Sequence, residues 1–278
     1  MNANPLENAM AVISNYNCDP KEVIQKFNFV VLYDQSDNCA IKELIKREYP
    51  NSIDKNNTGH SLSNYFDFVI NNFMILPYRI HFLKSNVSPR HIDANSLDRK
   101  LQLDGLVPIF NDKNFEDKPR IAYHLLPGFF IERNNSWFMQ DAHPSYFSSC
   151  NDLLEYIFRE PIKPEYLLFA PGGNYSTYGP MLKIYPLNFW KFLYYITSYK
   201  FFPPEAYVVE RLLFIIFSAE YEINSENFDD LWFEKLELKK KELIGKSTVD
   251  KSKFSKSSWF VRRLQSKLIY ELDKRNLV

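Results

Sequence analysis

Residues 27–33 (FNFVVLY) break abruptly into Asp34-Gln35-Ser36-Asp37-Asn38, and that boundary limits the possible folds more than any other feature of the chain. An apolar, aromatic and β-branched run that ends in a polar loop reads as a buried parallel strand delivering into a βα connection. Residues 40–48 (AIKELIKRE) follow with helical spacing and stop before Pro50. Residues 60–73 then predict an amphipathic helix, with Leu62, Tyr65, Phe66, Val69 and Phe73 on one face. His60, Asn64, Asp67 and Asn71 form a polar stripe on the other. After Pro77, residues 79–83 (RIHFL) predict a second strand. Strand, helix, helix, strand in this order is the signature of a parallel α/β sheet.

Beyond this unit, residues 106–110 predict an edge strand, because Pro108 cannot donate to a ladder. Residues 128–139 read as a hairpin around Asn134-Asn135, and residues 167–179 as a strand, a glycine turn and a return. Helices are expected over 151–159, 188–199, 205–219 and 228–243. A Lys/Ser-rich linker over 246–258 and a basic amphipathic helix over 259–274 complete the chain. The expected organisation is an α/β domain over residues 1–225 and a helical C-terminal extension over 226–278.

Lys and Arg together number 34, as do Asp and Glu, so the net charge is zero. That balance speaks against a nucleic-acid partner held by a uniform basic field. The three cysteines, Cys18, Cys39 and Cys150, form no CxxC pair and predict neither a disulfide framework nor a zinc site. The first ten residues do not read as a signal peptide. The apolar stretch 206–217 is charge-interrupted and falls short of the ~20 residues a membrane helix needs. A cytoplasmic protein is the expectation.

Five segments, in order across residues 27 to 220, carry a resemblance. They are FNFVVLYDQSDN, NTGHSLSNYFDFVINNFMILP leading into RIHFL, the turn APGGNYSTYG, the helix containing FW, and the helix containing ERLLFIIF. Together they resemble an uncharacterised glycosyltransferase-like family found in fungi and in bacterial surface-polysaccharide loci. The resemblance implies a GT-A type fold, a Rossmann-like mixed sheet with flanking helices. It implies a nucleotide-sugar donor at the sheet and a glycan acceptor, in a capsule, O-antigen or glycolipid, at the strand-end loops. Such enzymes often hold Mg²⁺ or Mn²⁺ on an Asp-x-Asp motif after a central apolar strand, and this sequence has no clear one.

Glycosyl transfer needs a group to take the acceptor proton and positive charge to stabilise the leaving diphosphate. Asp34 and Asp37 lie where open α/β sheets bind ligands, near a base or ribose, although the same turn suits capping of the next helix. His60 and Asn64 share a helical face suited to a phosphate or sugar, or equally to solvent. Gly172-Gly173, with Asn174 behind, suit close backbone approach to a ligand or a plain tight turn. Asp141 and His143 are the substitutes for the missing metal motif, and Pro144 makes an exposed turn the alternative. Glu210 and Arg211 interrupt a nearly all-apolar helix, so each needs a partner or a function, with Glu210 the candidate base. Glu205 is a second base candidate that also suits the positive end of the helix dipole. His81, His91 and His124 show no ligand-like spacing and read as structural. Lys251, Lys253, Lys256, Arg262, Arg263 and Lys267 beside Trp259 and Phe260 suit an interfacial helix at the inner face of a membrane, or packing on the domain. Two other classes fit the same residues. One is a non-catalytic glycan- or nucleotide-binding protein; the other is a hydrolase of phosphate or glycosidic esters using Asp141 and His143.

Overall fold

The structure is a computed structural model and describes residues 8–111, 122–123, 130–134, 145–147, 149–201 and 203–246. Its strands are β1 (Ala9–Asn15), β2 (Phe29–Asp34), β3 (Ile53–Asp54), β4 (Arg79–Lys84), β5 (Val107–Pro108), β6 (Ala122–Tyr123), β7 (Phe130–Arg133), β8 (Tyr166–Phe169) and β9 (Tyr175–Tyr178). Its helices are α1 (Lys21–Ile24), α2 (Cys39–Glu48), α3 (His60–Asn71), α4 (Val87–Arg90), α5 (Ala94–Leu101), α6 (Cys150–Ile157), α7 (Gly179–Leu182), α8 (Leu187–Ser198), α9 (Pro204–Ser218) and α10 (Trp232–Lys246).

Six strands form one sheet in the order β3-β2-β1-β4-β9-β5. β1 pairs in parallel with β2 and β4, and β3 continues the parallel set beside β2. β9 runs antiparallel to both β4 and β5. Successive side chains on a strand point to opposite faces, and the sheet uses this to fill two layers. Val12, Tyr33, Ile80 and Phe82 join α3, α8 and α9 in one core. Ala11, Ile13, Leu32 and Leu83 join Val23, Ile45, Val87 and Leu97 in the other. The result is a mixed α/β sheet covered by helices on both faces, as the opening strand–helix–helix–strand pattern predicts.

Aromatic packing dominates the first core. Phe82 stacks on Phe217 with centroids 5.7 Å apart and meets Tyr65 at 5.0 Å. Trp190 packs on Phe66 at 6.0 Å while its indole N–H donates to the Leu182 carbonyl at 3.0 Å. Burying a large ring while satisfying its polar end is what makes such a residue stable in a core.

Two expectations need correction, the rank of the strand over 27–33 and the return after the glycine turn. The run 27–33 is the second strand, because β1 precedes it and lies between β2 and β4 at the middle of the sheet. Its sequence, AMAVISN, is short and lacks alternation, so its periodicity cannot separate strand from helix. Residues 167–179 do not form a hairpin: β8 belongs to a separate three-stranded sheet, β6-β7-β8, and β9 crosses to the large one. β7 pairs with β6 and β8, and the return of the hairpin expected around Asn134-Asn135, residues 135–139, lies outside the described residues. The start of the expected extension packs on the domain, since Phe228 and Leu236 are buried in the first core. Trp232 also meets Tyr195 at 6.2 Å. The Lys/Ser-rich linker and basic tail, residues 247–278, lie outside the described residues.

Pro108 does sit on the edge strand, as its missing N–H requires. Among the described residues no helix is long and apolar enough to cross a membrane.

Candidate functional site

From β1 the chain goes to β2 on one side of the sheet, and later, through α3, to β4 on the other side. Open α/β sheets bind ligands at such a reversal, beyond the carboxyl ends of the strands, here β1 and β4. β1 ends at Asn15, β2 at Asp34 and β4 at Lys84, all on this edge. Because β9 is antiparallel, the turn Gly172-Gly173-Asn174 arrives at the same edge. The Asp34 loop and the glycine turn therefore share one rim, three strand spacings or roughly 14 Å apart.

At the β1–β2 end, the strand ends are cross-linked by buried polar groups. The Asp34 carboxylate accepts from Asn15 Nδ2 at 2.9 Å and from Ser36 Oγ at 2.6 Å. Ser14 Oγ accepts from Asn64 Nδ2 at 2.8 Å. Asp34 and Asn64 are almost fully buried and thus organise the rim from within. The exposed member is Asp37, held by Asn17 Nδ2 at 2.6 Å and Tyr16 Oη at 2.9 Å. These two donors keep its carboxyl below the usual aspartate range. Asn38 caps α2 through the Ala40 and Ile41 amides, so the loop serves capping as well as the rim.

Asn64 also borders a cavity of about 240 Å³ between the Lys55–Thr58 loop, the start of α3 and the end of α8. Of the polar stripe of α3, only Asn71 is exposed. Asn64 faces Ser14, and Asp67 accepts from Tyr33 Oη and Lys55 Nζ at 3.1 and 3.0 Å.

The β4–β9 end is basic. Lys84 is half-buried, and among the described residues it makes no ion pair. Burial holds its ammonium below the usual lysine value, while Glu210 acts in the opposite sense. His91 is 5% exposed, and neither ring nitrogen has a hydrogen-bond partner. Burial, with Lys84 and Arg90 adding repulsion, lowers its pKa to about 3, so it is neutral and offers one donor. His60 is lowered to about 4 by burial and then by Lys84. The turn itself requires glycine: φ is +87° at Gly172 and +68° at Gly173. A Cβ on Gly172 would lie 3.0 Å from His91 Nε2, and the Gly172 carbonyl accepts from Ser61 Oγ at 3.1 Å. Asn174 is fully buried and clamps the strand end, accepting from the Lys84 amide at 2.8 Å.

The acidic candidates on α9 separate. Glu205 is fully buried, accepting from the Tyr146 amide and from Tyr199 Oη at 2.9 Å. Burial raises its pKa. Glu210 is half-buried, makes no ion pair among the described residues, and lies near enough for its charge to act on Lys84 and Tyr207. Arg211 covers the Phe169 ring at 4.9 Å, just ahead of the glycine turn, and donates to the Tyr207 carbonyl at 3.0 Å. Asp141 and His143 lie outside the described residues.

A divalent metal of the kind the resemblance implies needs carboxylates at the end of the central strand. β4 ends instead in Lys84-Ser85-Asn86, and among the described residues no three His, Cys, Asp or Glu side chains converge. This donor set does not fit a metal at the end of β4.

The sequence did not point to Lys84, and it pointed to His91 only as a structural histidine. Lys84 had a usable signal, since it closes an apolar strand just as Asp34 does. His91 had none, because its neighbours Gly172 and Lys84 come from distant segments. His81 is buried, its Nδ1 2.6 Å from Ser176 Oγ and its ring 5.2 Å from Phe27. Compared with known proteins, the chain matches no family model, no curated sequence and no solved structure.

Proposed function

We propose that the chain is a GT-A type glycosyltransferase that moves a sugar from a nucleotide-sugar to a hydroxyl of a surface polysaccharide or glycolipid. One observation carries the reading: at the switch point of a mixed α/β sheet, β4 ends in Lys84, and Glu210 on the facing helix lies near enough for its charge to act on that ammonium. Nucleotide binding begins at the Asp37 side of the rim, because Asp34 is already committed to Asn15 and Ser36. Glu210 takes the acceptor proton. The acceptor oxygen then bonds to the anomeric carbon as the bond from that carbon to the diphosphate breaks, and nucleoside diphosphate leaves. Glu205 supports α9 from within the core, as its two hydrogen bonds allow.

The test is release of nucleoside diphosphate from a panel of UDP-, GDP- and CMP-sugars with oligosaccharide acceptors, CMP-sugars being followed by CMP. Release is expected for one nucleotide class and falls ~100-fold in Glu210→Gln, the usual scale for loss of a general base. The variant's melting temperature stays within a degree or two, since Glu210 has no ion pair to break. Binding without turnover of any donor would favour a non-catalytic binding protein. Phosphate release from simple esters would favour a hydrolase.

A further inference from the structure

We propose that Lys84 and His91, at the carboxyl end of β4, form the anion site for the ligand's diphosphate, the Lys84 ammonium standing where a divalent cation would otherwise be needed. This rests on the nucleotide-sugar reading for its ligand and on separate observations for its chemistry.

Lys84 is the last residue of the strand at which the sheet reverses, and it shares a face with Phe82, the face covered by α3 and α9. Its neighbours on that side are His60 on α3 and Glu210 on α9, with Arg90 and His91 arriving from the segment after β4. Two cations thus act together against one carboxylate, and no ion pair neutralises Lys84 among the described residues. A half-buried ammonium with no ion pair is unfavourable in the empty protein and favourable once an anion arrives.

His91 is the independent observation. A buried imidazole normally engages at least one nitrogen, because a buried polar group left without a partner keeps its full desolvation penalty. Both nitrogens of His91 are unsatisfied, and Nε2 faces the bare α-carbon of Gly172. A neutral imidazole there donates one N–H to a phosphate oxygen. The same glycine accepts from Ser61 in the first turn of α3, a twelve-residue helix whose N-terminus has no side-chain cap. The positive end of its dipole therefore lies beside the same turn.

Binding of inorganic pyrophosphate to the full chain, measured by titration calorimetry in EDTA and again with Mn²⁺, tests the proposal without requiring a sugar. Saturable binding is expected in EDTA, with no more than a twofold gain from Mn²⁺. Lys84→Met should weaken it tenfold or more, Lys84→Arg less than threefold, and His91→Ala at least threefold. Lys84→Met should melt at or above the wild-type temperature, because it removes a poorly compensated charge, so weak binding would not mean misfolding. Glu210→Gln should tighten binding by removing repulsion. No binding in EDTA, or a Lys84→Met protein that binds like wild type, overturns the anion site. Nucleotide-sugar turnover that requires Mn²⁺ and persists in Lys84→Met would do the same while leaving the transferase reading intact. Lys84-dependent pyrophosphate binding with no donor turned over would sustain the site and sink the transferase.

Discussion

Acidification from pH 7 to pH 5.5 should weaken this protein through its buried histidines. His81 and His91 are 0% and 5% exposed, and burial lowers both to about 3; Arg79 adds to the shift at His81, Lys84 and Arg90 to that at His91. Their unfolded value is near 6.5, so between these pH values the unfolded chain takes up protons that the folded one refuses. A group whose folded pKa is depressed gives stability that is present above the unfolded value and lost as pH falls. Over this interval the loss is about 1.2 kcal/mol for each histidine, or about 2.5 kcal/mol for the pair. His60, lowered to about 4, acts in the same direction. The assay is the urea midpoint at both pH values for wild type and for His91→Asn. The variant should lose about half of the His81–His91 share, because all other groups, Glu205 included, titrate in both proteins. Unfolding free energies that agree within 0.5 kcal/mol at pH 7 and 5.5 would refute the reasoning.

Glu205→Ala should destabilise by about 2–4 kcal/mol, since it strands the Tyr146 amide and Tyr199 hydroxyl in the core, and thermal melting will show it. Gly172→Ala should cost about 1–3 kcal/mol in stability, because φ is +87° and its Cβ would lie 2.8 Å from Asn174 Nδ2. It should also weaken pyrophosphate binding by disturbing His91; a variant with wild-type melting and binding would contradict both points. Deleting residues 247–278, which carry the run of lysines beside Trp259, should reduce sedimentation with anionic liposomes while leaving the melting temperature unchanged. Equal sedimentation by both proteins would remove the membrane contact.

What the sequence made legible follows from local physics. Residues 27–48 and 60–83 carry clean periodicities bounded by polar loops, and β2, α2, α3 and β4 appear where those periods end. Asp34 and Gly172 were visible as strand-end residues for the same reason. β1 was not legible, because a seven-residue central strand buried on both faces shows no alternation. The partners of β8 and β9 were hidden too, since sheet pairing joins residues far apart in the chain. That same non-locality hid His91, whose meaning depends on Lys84 and on Gly172, 81 positions later. Asn64 could be read only as polar on a helix; Ser14, fifty positions earlier, makes it an internal bridge.

The central claim, a nucleotide-sugar site at the carboxyl ends of β1 and β4, is tested most directly by melting the protein with UDP, GDP and CMP. At a concentration 100 times the dissociation constant, a bound nucleotide adds about 2.7 kcal/mol to the stability of the folded state. The account predicts a rise of several degrees with one nucleotide class, present in EDTA and abolished by Lys84→Met. No shift with any nucleotide at millimolar concentration, with or without Mn²⁺, would contradict it.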